Sequence, residues 1–212
     1  MDGTLIDTEP LWAQATYELG ELLGRRPTSE VRERTIGGSF PNTLRIVADW
    51  AGYTLADGDV NRYRDWMFAR MAELFAGGIE CNPGIPSVLA SLNAEGVPMY
   101  VTTNTERVLA DPCIDAIGRG FFAGSITGDE VAHPKPAPDM YLEAARRAGA
   151  QPEECLVVED SFTGMSAGAA AGCAVLGLAD DVPAGVYRFD PANFVDADAG
   201  DVYRWFSAAR QG

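Results

Sequence analysis

Six polar residues lie in tight loops or directly after short apolar runs, and their types are those that bind metal ions and anions. They are Asp2, Thr103, Asn104, Lys135, Glu159 and Asp160. Carboxylates are ligands that Mg²⁺ prefers, whereas a lysine, a hydroxyl and backbone N–H groups stabilise a bound phosphate. As a set, the six predict a magnesium site beside a phosphate site. Each alone is equally typical of a turn, a helix cap or a solvated lysine between prolines.

The apolar pattern predicts the elements that position these residues. From residue 82 onward, strand patterns alternate with helix patterns: helix IPSVLASLNAEG, strand PMYVTT, a helix after Asn104, strand GSIT, helix PDMYLEAARRAG, strand CLVVE, helix SFTGMSAGAAAG and strand CAVLGL. Such alternation is typical of an α/β fold, a parallel sheet with helices on both faces. In open parallel sheets, ligands bind beyond the carboxyl ends of the strands, where Thr103 and Glu159 are expected.

Residues 9–81 have a different pattern. Their apolar residues recur at helical spacing, for example in LWAQATYELGELL and TLRIVADWA, and no strand candidate interrupts them. We therefore expect an all-helical insertion at 9–81, with residues 1–8 and 82–212 forming the α/β core.

Composition excludes several classes of partner. The 16 basic and 31 acidic residues give a formal net charge of −15, which opposes binding to nucleic acid. The same charge repels a phosphorylated ligand, so phosphate chemistry requires local cations. No run is long and apolar enough for a membrane span, and the acidic first ten residues do not resemble a secretory signal. We expect a cytoplasmic protein, and the pattern leaves the oligomeric state open.

Four strings carry a family resemblance: MDGTLIDTEP, VTTNT, GDEVAHPKPAPD and VVEDSFTGMSAGAAAG. In this order they resemble the haloacid dehalogenase superfamily, in its branch of small phosphatases and phosphomutases with a helical cap. The resemblance covers nearly the whole chain. It implies a Rossmann-like core, a helical cap that closes over the substrate, and Mg²⁺-dependent hydrolysis of a small phosphorylated metabolite, with a sugar phosphate as the leading candidate.

The resemblance also implies catalytic and phosphate-binding roles. Asp2 would be the general acid that protonates the leaving alcohol and then the base that activates water. Thr103 and the backbone of Asn104 would bind the phosphoryl oxygens. Lys135 would neutralise their charge and brace the nucleophile.

The resemblance also implies metal ligands, which are present, and a nucleophile, which is not part of the sequence. The Asp2 carbonyl and Asp160 would hold Mg²⁺, with Glu159 nearby or acting through water. In the family, the nucleophilic aspartate stands two positions before the acid/base aspartate. Because Asp2 is the acid/base aspartate, the nucleophile would fall directly before Met1. It ends a central strand between those that end at Thr103 and Glu159, so we expect that strand and its nucleophile to be missing from the chain as numbered.

A start codon assigned too late would explain the missing strand, and a chain truly made without it is the alternative. Without the nucleophile, the chain as numbered is expected to be inactive. Such a chain could also be a non-catalytic protein that keeps a phosphate pocket.

Three departures favour a phosphatase over a mutase. The β-phosphoglucomutases, which this chain resembles in outline, use a cap histidine and two cations that hold the non-transferring phosphate. The corresponding positions fall on Trp12, Phe40 and Glu106. A carboxylate where a bisphosphate needs a cation is repulsive. A dehalogenase is disfavoured as well, because those enzymes would have no use for Asp2 and the acidic pair.

Overall fold

The computed structural model describes residues 1–210 and divides the chain into two compact units. Within the described residues, one unit comprises residues 1–7 and 80–210, and the other comprises residues 8–79. None of the helices described is both long enough and apolar enough to cross a membrane.

The unit of residues 8–79 is helical. Its helices are α1 (Glu9–Leu22), α2 (Ser29–Glu33), α3 (Phe40–Ala51) and α4 (Asp59–Phe75). Leu19, Leu44, Met67 and Met71 are fully buried where α1, α3 and α4 pack together. Apolar residues at helical spacing place these side chains on one face of each helix, which is why the helices associate.

The other unit alternates helices and strands. Its elements are α5 (Ile85–Ala94), β1 (Tyr100–Thr103), α6 (Arg107–Ile117), β2 (Gly124–Thr127), α7 (Asp139–Ala148), β3 (Leu156–Glu159), α8 (Phe162–Ala171), β4 (Ala174–Gly177), β5 (Tyr187–Arg188) and α9 (Ala199–Ala209). The predicted α/β class is confirmed. The apolar pattern did not predict β5 or α9. β5 has only two residues, both exposed, which is too short for an alternating apolar pattern.

The strands form two separate parallel sheets. β1 pairs with β2 from Tyr100↔Gly124 to Thr103↔Thr127. β3 pairs with β4, which pairs in turn with β5. Across residues 1–210, no strand joins β1 to β3.

An apolar cavity of about 430 Å³ lies between β1 and β3, and it is called here the interstrand cavity. Residues of both strands line it, together with residues of α5, α7, α9 and the opening loop, including Val101, Val157, Leu89, Ala145, Phe206 and Met1. The missing strand between those ending at Thr103 and Glu159 stays a prediction of the sequence analysis. One edge of β1 and one edge of β3 are left without a sheet partner.

Candidate active site

Lys135 links the carboxyl ends of β1 and β3. Its Nζ donates to the carbonyl oxygen of Thr102 at 3.0 Å and to Glu159 Oε1 at 2.5 Å. Only 5% of the lysine side chain and 6% of the glutamate side chain are exposed. A buried charge is tolerated when it is paired and hydrogen-bonded, so these two groups depend on each other.

Glu159 receives two further hydrogen bonds. The hydroxyl of Tyr141 donates to Oε1 at 2.6 Å, and Ser161 Oγ donates to Oε2 at 3.2 Å. Burial alone would raise the pKa of Glu159, but the positive charges of Lys135 and of the Met1 α-amino group, with the hydrogen bonds from Lys135 and Tyr141, hold it at about 2. A Cβ at Gly164 would lie 2.1 Å from Glu159 Oε2, so the first turn of α8 approaches the carboxylate closely.

The side-chain amide of Asn104 fixes the loop that contains Lys135. Asn104 Oδ1 accepts from the backbone N–H of Lys135 at 3.0 Å, and Nδ2 donates to the carbonyl oxygen of Lys135 at 3.1 Å. Next to it, buried Thr103 accepts from the backbone N–H of Thr105 at 3.1 Å through Oγ1. The three residues predicted to bind phosphate, Thr103, Asn104 and Lys135, are therefore neighbours at the carboxyl end of β1.

The opening loop lies against Asp160. Thr4 Oγ1 donates to Asp160 Oδ1 at 2.8 Å. Gly3 has a φ of +66°, and a Cβ there would lie 2.1 Å from Asp160 Oδ2. Only glycine fits this position, because it combines a left-handed backbone with direct contact with the carboxylate. The loop is braced by Asn82, whose Nδ2 donates to the carbonyl oxygens of Gly3 and Thr4 at 3.1 and 2.9 Å.

Asp2 is oriented by a neighbour of the predicted phosphate site. Thr105 Oγ1 donates to Asp2 Oδ2 at 2.9 Å, which connects the opening loop to the residues following β1. Asp2 thus lies beside the Thr103–Asn104 turn, as a group that exchanges protons with a ligand there must.

The surroundings of Asp160 disfavour the negatively charged form of its carboxyl group. Burial and the negative charge of Glu159 raise its pKa to about 6, although the Met1 α-amino group and Thr4 oppose the shift. A divalent cation would offset both causes, and hard oxygen donors suit Mg²⁺. Among residues 1–210, no three His, Cys, Asp or Glu side chains cluster closely enough to hold a metal. The fit to Mg²⁺ therefore depends on Asp160 and on main-chain oxygen from the adjacent loop.

The positive charge of the Met1 α-amino group lowers the pKa of Glu159 and opposes the rise at Asp160. Met1 itself is buried and lines the interstrand cavity.

Three residues of the site escaped the sequence analysis: Asn82, Thr105 and Tyr141. Tyr141 had a usable signal, because a tyrosine on the apolar side of an amphipathic helix buries a hydroxyl that needs a partner. Thr105 and Asn82 gave none, since their contacts join segments about 80 to 100 positions apart in the chain.

Three residues were predicted to distinguish a phosphatase from a mutase: Trp12, Phe40 and Glu106. Phe40 begins α3 and packs its ring edge-on against Phe68, with 6.5 Å between centroids. Trp12 packs in the same way against Phe75 at 6.4 Å. Glu106 is the N-cap residue of α6. Both aromatic residues are thus part of the packing within the helical unit.

Comparison with known proteins identifies the family of the chain. Residues 1–172 match the family of haloacid dehalogenase-like hydrolases. The chain is 32% identical to fructose-1-phosphate phosphatase YqaB of Escherichia coli K12, over 81% of this chain and 89% of that protein. It is 31% identical to hexitol phosphatase A of the same organism, over 92% and 87%.

Among solved structures, a β-phosphoglucomutase-like protein of Thermotoga maritima superposes with a TM-score of 0.69, covering 92% of this chain and 94% of that one. At 24% identity, that likeness concerns the fold alone. The match to the family and the two phosphatase relatives lead to one conclusion: the chain belongs to the haloacid dehalogenase-like hydrolases.

Proposed function

We propose that this protein is a Mg²⁺-dependent phosphomonoesterase that acts on a small phosphorylated metabolite, with a phosphorylated sugar or sugar alcohol as the leading substrate. The observation that carries the proposal is the convergence of Lys135, Asn104, Asp2 and Asp160 at the carboxyl ends of β1 and β3. The names of two relatives, a fructose-1-phosphate phosphatase and a hexitol phosphatase, support the substrate class.

The phosphate-binding residues lie around the end of β1. Lys135 brings a buried positive charge whose position is set by Glu159 and by Thr102 O. Thr103 and the backbone of Asn104 supply a hydroxyl and an N–H group to the phosphoryl oxygens. Preorganised donors of this kind stabilise the charge that develops as the phosphoryl group is transferred. They also provide the local cation that a chain of net charge −15 requires.

Asp2 is the proton carrier in this proposal. Its carboxylic acid protonates the oxygen of the leaving alcohol, and the resulting carboxylate then takes a proton from the attacking water. Thr105 donates a hydrogen bond to Asp2 Oδ2, and this bond helps to fix the orientation of the carboxyl group.

Asp160 and the backbone carbonyl of Asp2 would hold Mg²⁺, with Glu159 contributing through water because its oxygens already accept from Lys135, Tyr141 and Ser161. When bound, the ion supplies positive charge to the phosphate oxygens and to the buried acids.

The nucleophile would be an aspartate directly before Met1, at the end of a strand in the interstrand cavity. One carboxylate oxygen forms a bond to phosphorus while the bond from phosphorus to the substrate alcohol breaks. Water then cleaves the aspartyl-phosphate at phosphorus and releases inorganic phosphate. One observation supports this position: the cavity between β1 and β3, which Met1 lines.

The helical unit of residues 8–79 would act as the lid that excludes bulk water and selects the substrate. Since Phe40 and Glu106 do not bring cations to the positions that β-phosphoglucomutases use, the product would be free phosphate and not an isomeric sugar phosphate.

The deciding experiment compares two proteins: the chain from Met1, and the same chain preceded by the residues encoded in frame upstream. Each is incubated with Mg²⁺ and a panel of sugar and sugar-alcohol monophosphates, and the products are followed by phosphorus NMR. We expect free phosphate from the extended protein only. A 6-phosphate accumulating from a 1-phosphate would establish a mutase instead. Equal turnover by both proteins would refute the proposed nucleophile, and no turnover by either would favour a non-catalytic phosphate-binding protein.

A further inference from the structure

Cys155 and Cys173 occupy neighbouring positions at the amino ends of β3 and β4. The register pairs Leu156 with Ala174, and the N–H of Ala174 donates to the carbonyl oxygen of Cys155 at 3.1 Å. Each cysteine stands one position before a member of that pair. Register partners on adjacent strands lie about 4.8 Å apart, and disulfides join Cα atoms about 4.4 to 6.8 Å apart. The backbone spacing of the two cysteines is therefore that of a disulfide.

The side chains two positions later show which face of the sheet the cysteines share. Val157 and Val175 are register partners, and a Cβ at Gly168 of α8 would lie 3.1 Å from Val157 Cγ1 and 3.0 Å from Val175 Cγ2. Successive side chains of a strand alternate between faces, and Cys155 keeps an extended backbone, with φ −104° and ψ 140°. Cys173 belongs to the same buried cluster as the two valines, and Cys155 packs against that cluster. Both thiols therefore lie on the side of the sheet that α8 covers.

The two thiols differ in exposure. Cys173 is buried, with 9% of the residue exposed, and burial raises the pKa of its thiol to about 12. Cys155 is only half-buried, and its Sγ donates to the carbonyl oxygen of Gln151 at 3.4 Å. An oxidant in solution therefore reaches Cys155 first, and Cys173 is the second thiol beside it.

The other two cysteines have different surroundings. Cys81 forms an isolated backbone bridge with Ile6, and Cys113 is completely buried in α6. Within residues 1–210, the strand pairs place neither of them beside a second cysteine. They therefore serve as internal references for the pair at β3 and β4.

We propose that Cys155 and Cys173 are a reversible disulfide site, which closes within the native sheet when a small-molecule disulfide is the oxidant. The Cys155 thiolate attacks one sulfur of the oxidant, so that a mixed disulfide forms and the other half leaves and takes up a proton. Cys173 releases its proton to solvent, and its sulfur attacks Cys155 Sγ. The second half of the oxidant then leaves as a thiol. Two protein thiols are thus oxidised to one disulfide, while one molecule of oxidant is reduced to two thiols.

The bond would enclose residues 155–173, which include Glu159, Asp160 and the whole of α8. The cysteines lie at the amino end of β3, and the two acids lie at its carboxyl end. Oxidation would therefore stabilise the segment that presents both acids without a direct contact with them.

The test treats the chain from Met1 with glutathione disulfide. The remaining thiols are alkylated with iodoacetamide, and mass spectrometry of proteolytic peptides locates the new bonds. Two variants, Cys155→Ser and Cys173→Ser, each remove one partner. Cys81→Ser is the matched control, because Cys81 is also half-buried.

We expect two of the four thiols to be lost, with a single bond between Cys155 and Cys173 of one chain. Dithiothreitol should restore all four thiols. Cys173→Ser should stop at the mixed disulfide on Cys155, and Cys155→Ser should form no bond at Cys173. Cys81→Ser should form the same bond as the unaltered chain.

The urea midpoint of the oxidised chain should rise by about 1 M, because closing a loop of about 20 residues restricts the unfolded chain. A mixed disulfide that persists on Cys155 of the unaltered chain would show that Cys173 does not reach it, and would overturn the proposal. So would a bond that includes Cys81 or Cys113, a bond between two chains, four unreacted thiols, or a lower urea midpoint after oxidation.

Discussion

Lys135 Nζ and Glu159 Oε1 lie 2.5 Å apart, and both side chains are almost completely buried. Lys135 Nζ also donates to the carbonyl oxygen of Thr102, so the pair joins the carboxyl ends of β1 and β3. The same two residues therefore stabilise the fold and take part in the proposed function.

The first prediction concerns the stability of this pair. Glu159→Gln leaves the ammonium of Lys135 buried without a counter-charge, so the free energy of unfolding should fall by about 3 to 5 kcal/mol. Urea denaturation followed by circular dichroism measures the loss. The matched control is Glu21→Gln, which removes the partner of Arg26 in an ion pair whose side chains are about half exposed. It should leave the midpoint nearly unchanged, and similar losses in both variants would contradict the importance of burial.

A second prediction concerns Tyr141. Tyr141→Phe keeps the ring against Lys135 and removes the hydroxyl that donates to Glu159. A hydrogen bond to a buried charge is worth about 1.5 to 3 kcal/mol, and a loss of that size is expected in urea denaturation. Tyr203→Phe is the control, because the Tyr203 hydroxyl also donates to a glutamate, Glu95, but at the surface. A larger effect from Tyr203→Phe would exclude the proposed role of the Tyr141 hydroxyl.

A third prediction concerns the DNA sequence. The codons directly upstream of Met1 should encode about five to ten residues in frame, mostly Val, Ile, Leu, Ala or Phe, that end in aspartate. The reason is the apolar cavity, which has room for a strand and lies next to Met1. Sequencing the genomic region decides the matter. An in-frame stop immediately upstream, or a polar stretch without the aspartate, would refute a start codon assigned too late.

The fourth prediction separates the two acids in the extended protein. Asp2→Asn retains the backbone carbonyl but cannot transfer a proton, so turnover should fall by about 10² to 10⁴-fold while Mg²⁺ still binds. Asp160→Asn removes a charged oxygen ligand, so Mg²⁺ affinity should itself fall. Phosphate release gives the first quantity and isothermal titration with Mg²⁺ the second. The assignment would be wrong if Asp2→Asn lost Mg²⁺ affinity and Asp160→Asn kept it.

The amino-acid sequence by itself determined the local elements and the positions of the polar residues along them. Periods of two and of 3.6 residues are local properties, so β1, β3 and α7 could be predicted from apolar spacing alone. The order of Thr103, Lys135 and Glu159 at strand ends followed from the same pattern, and it carried the family resemblance.

Only the tertiary structure decided which groups meet. Tyr141 reaches Glu159, and Thr105 reaches Asp2 across 103 positions, because helix and loop packing brings distant segments together. The split between β1 and β3 also belongs to this level. Strands that pair can lie far apart in the chain, and the apolar spacing within one strand does not identify the strand with which it pairs.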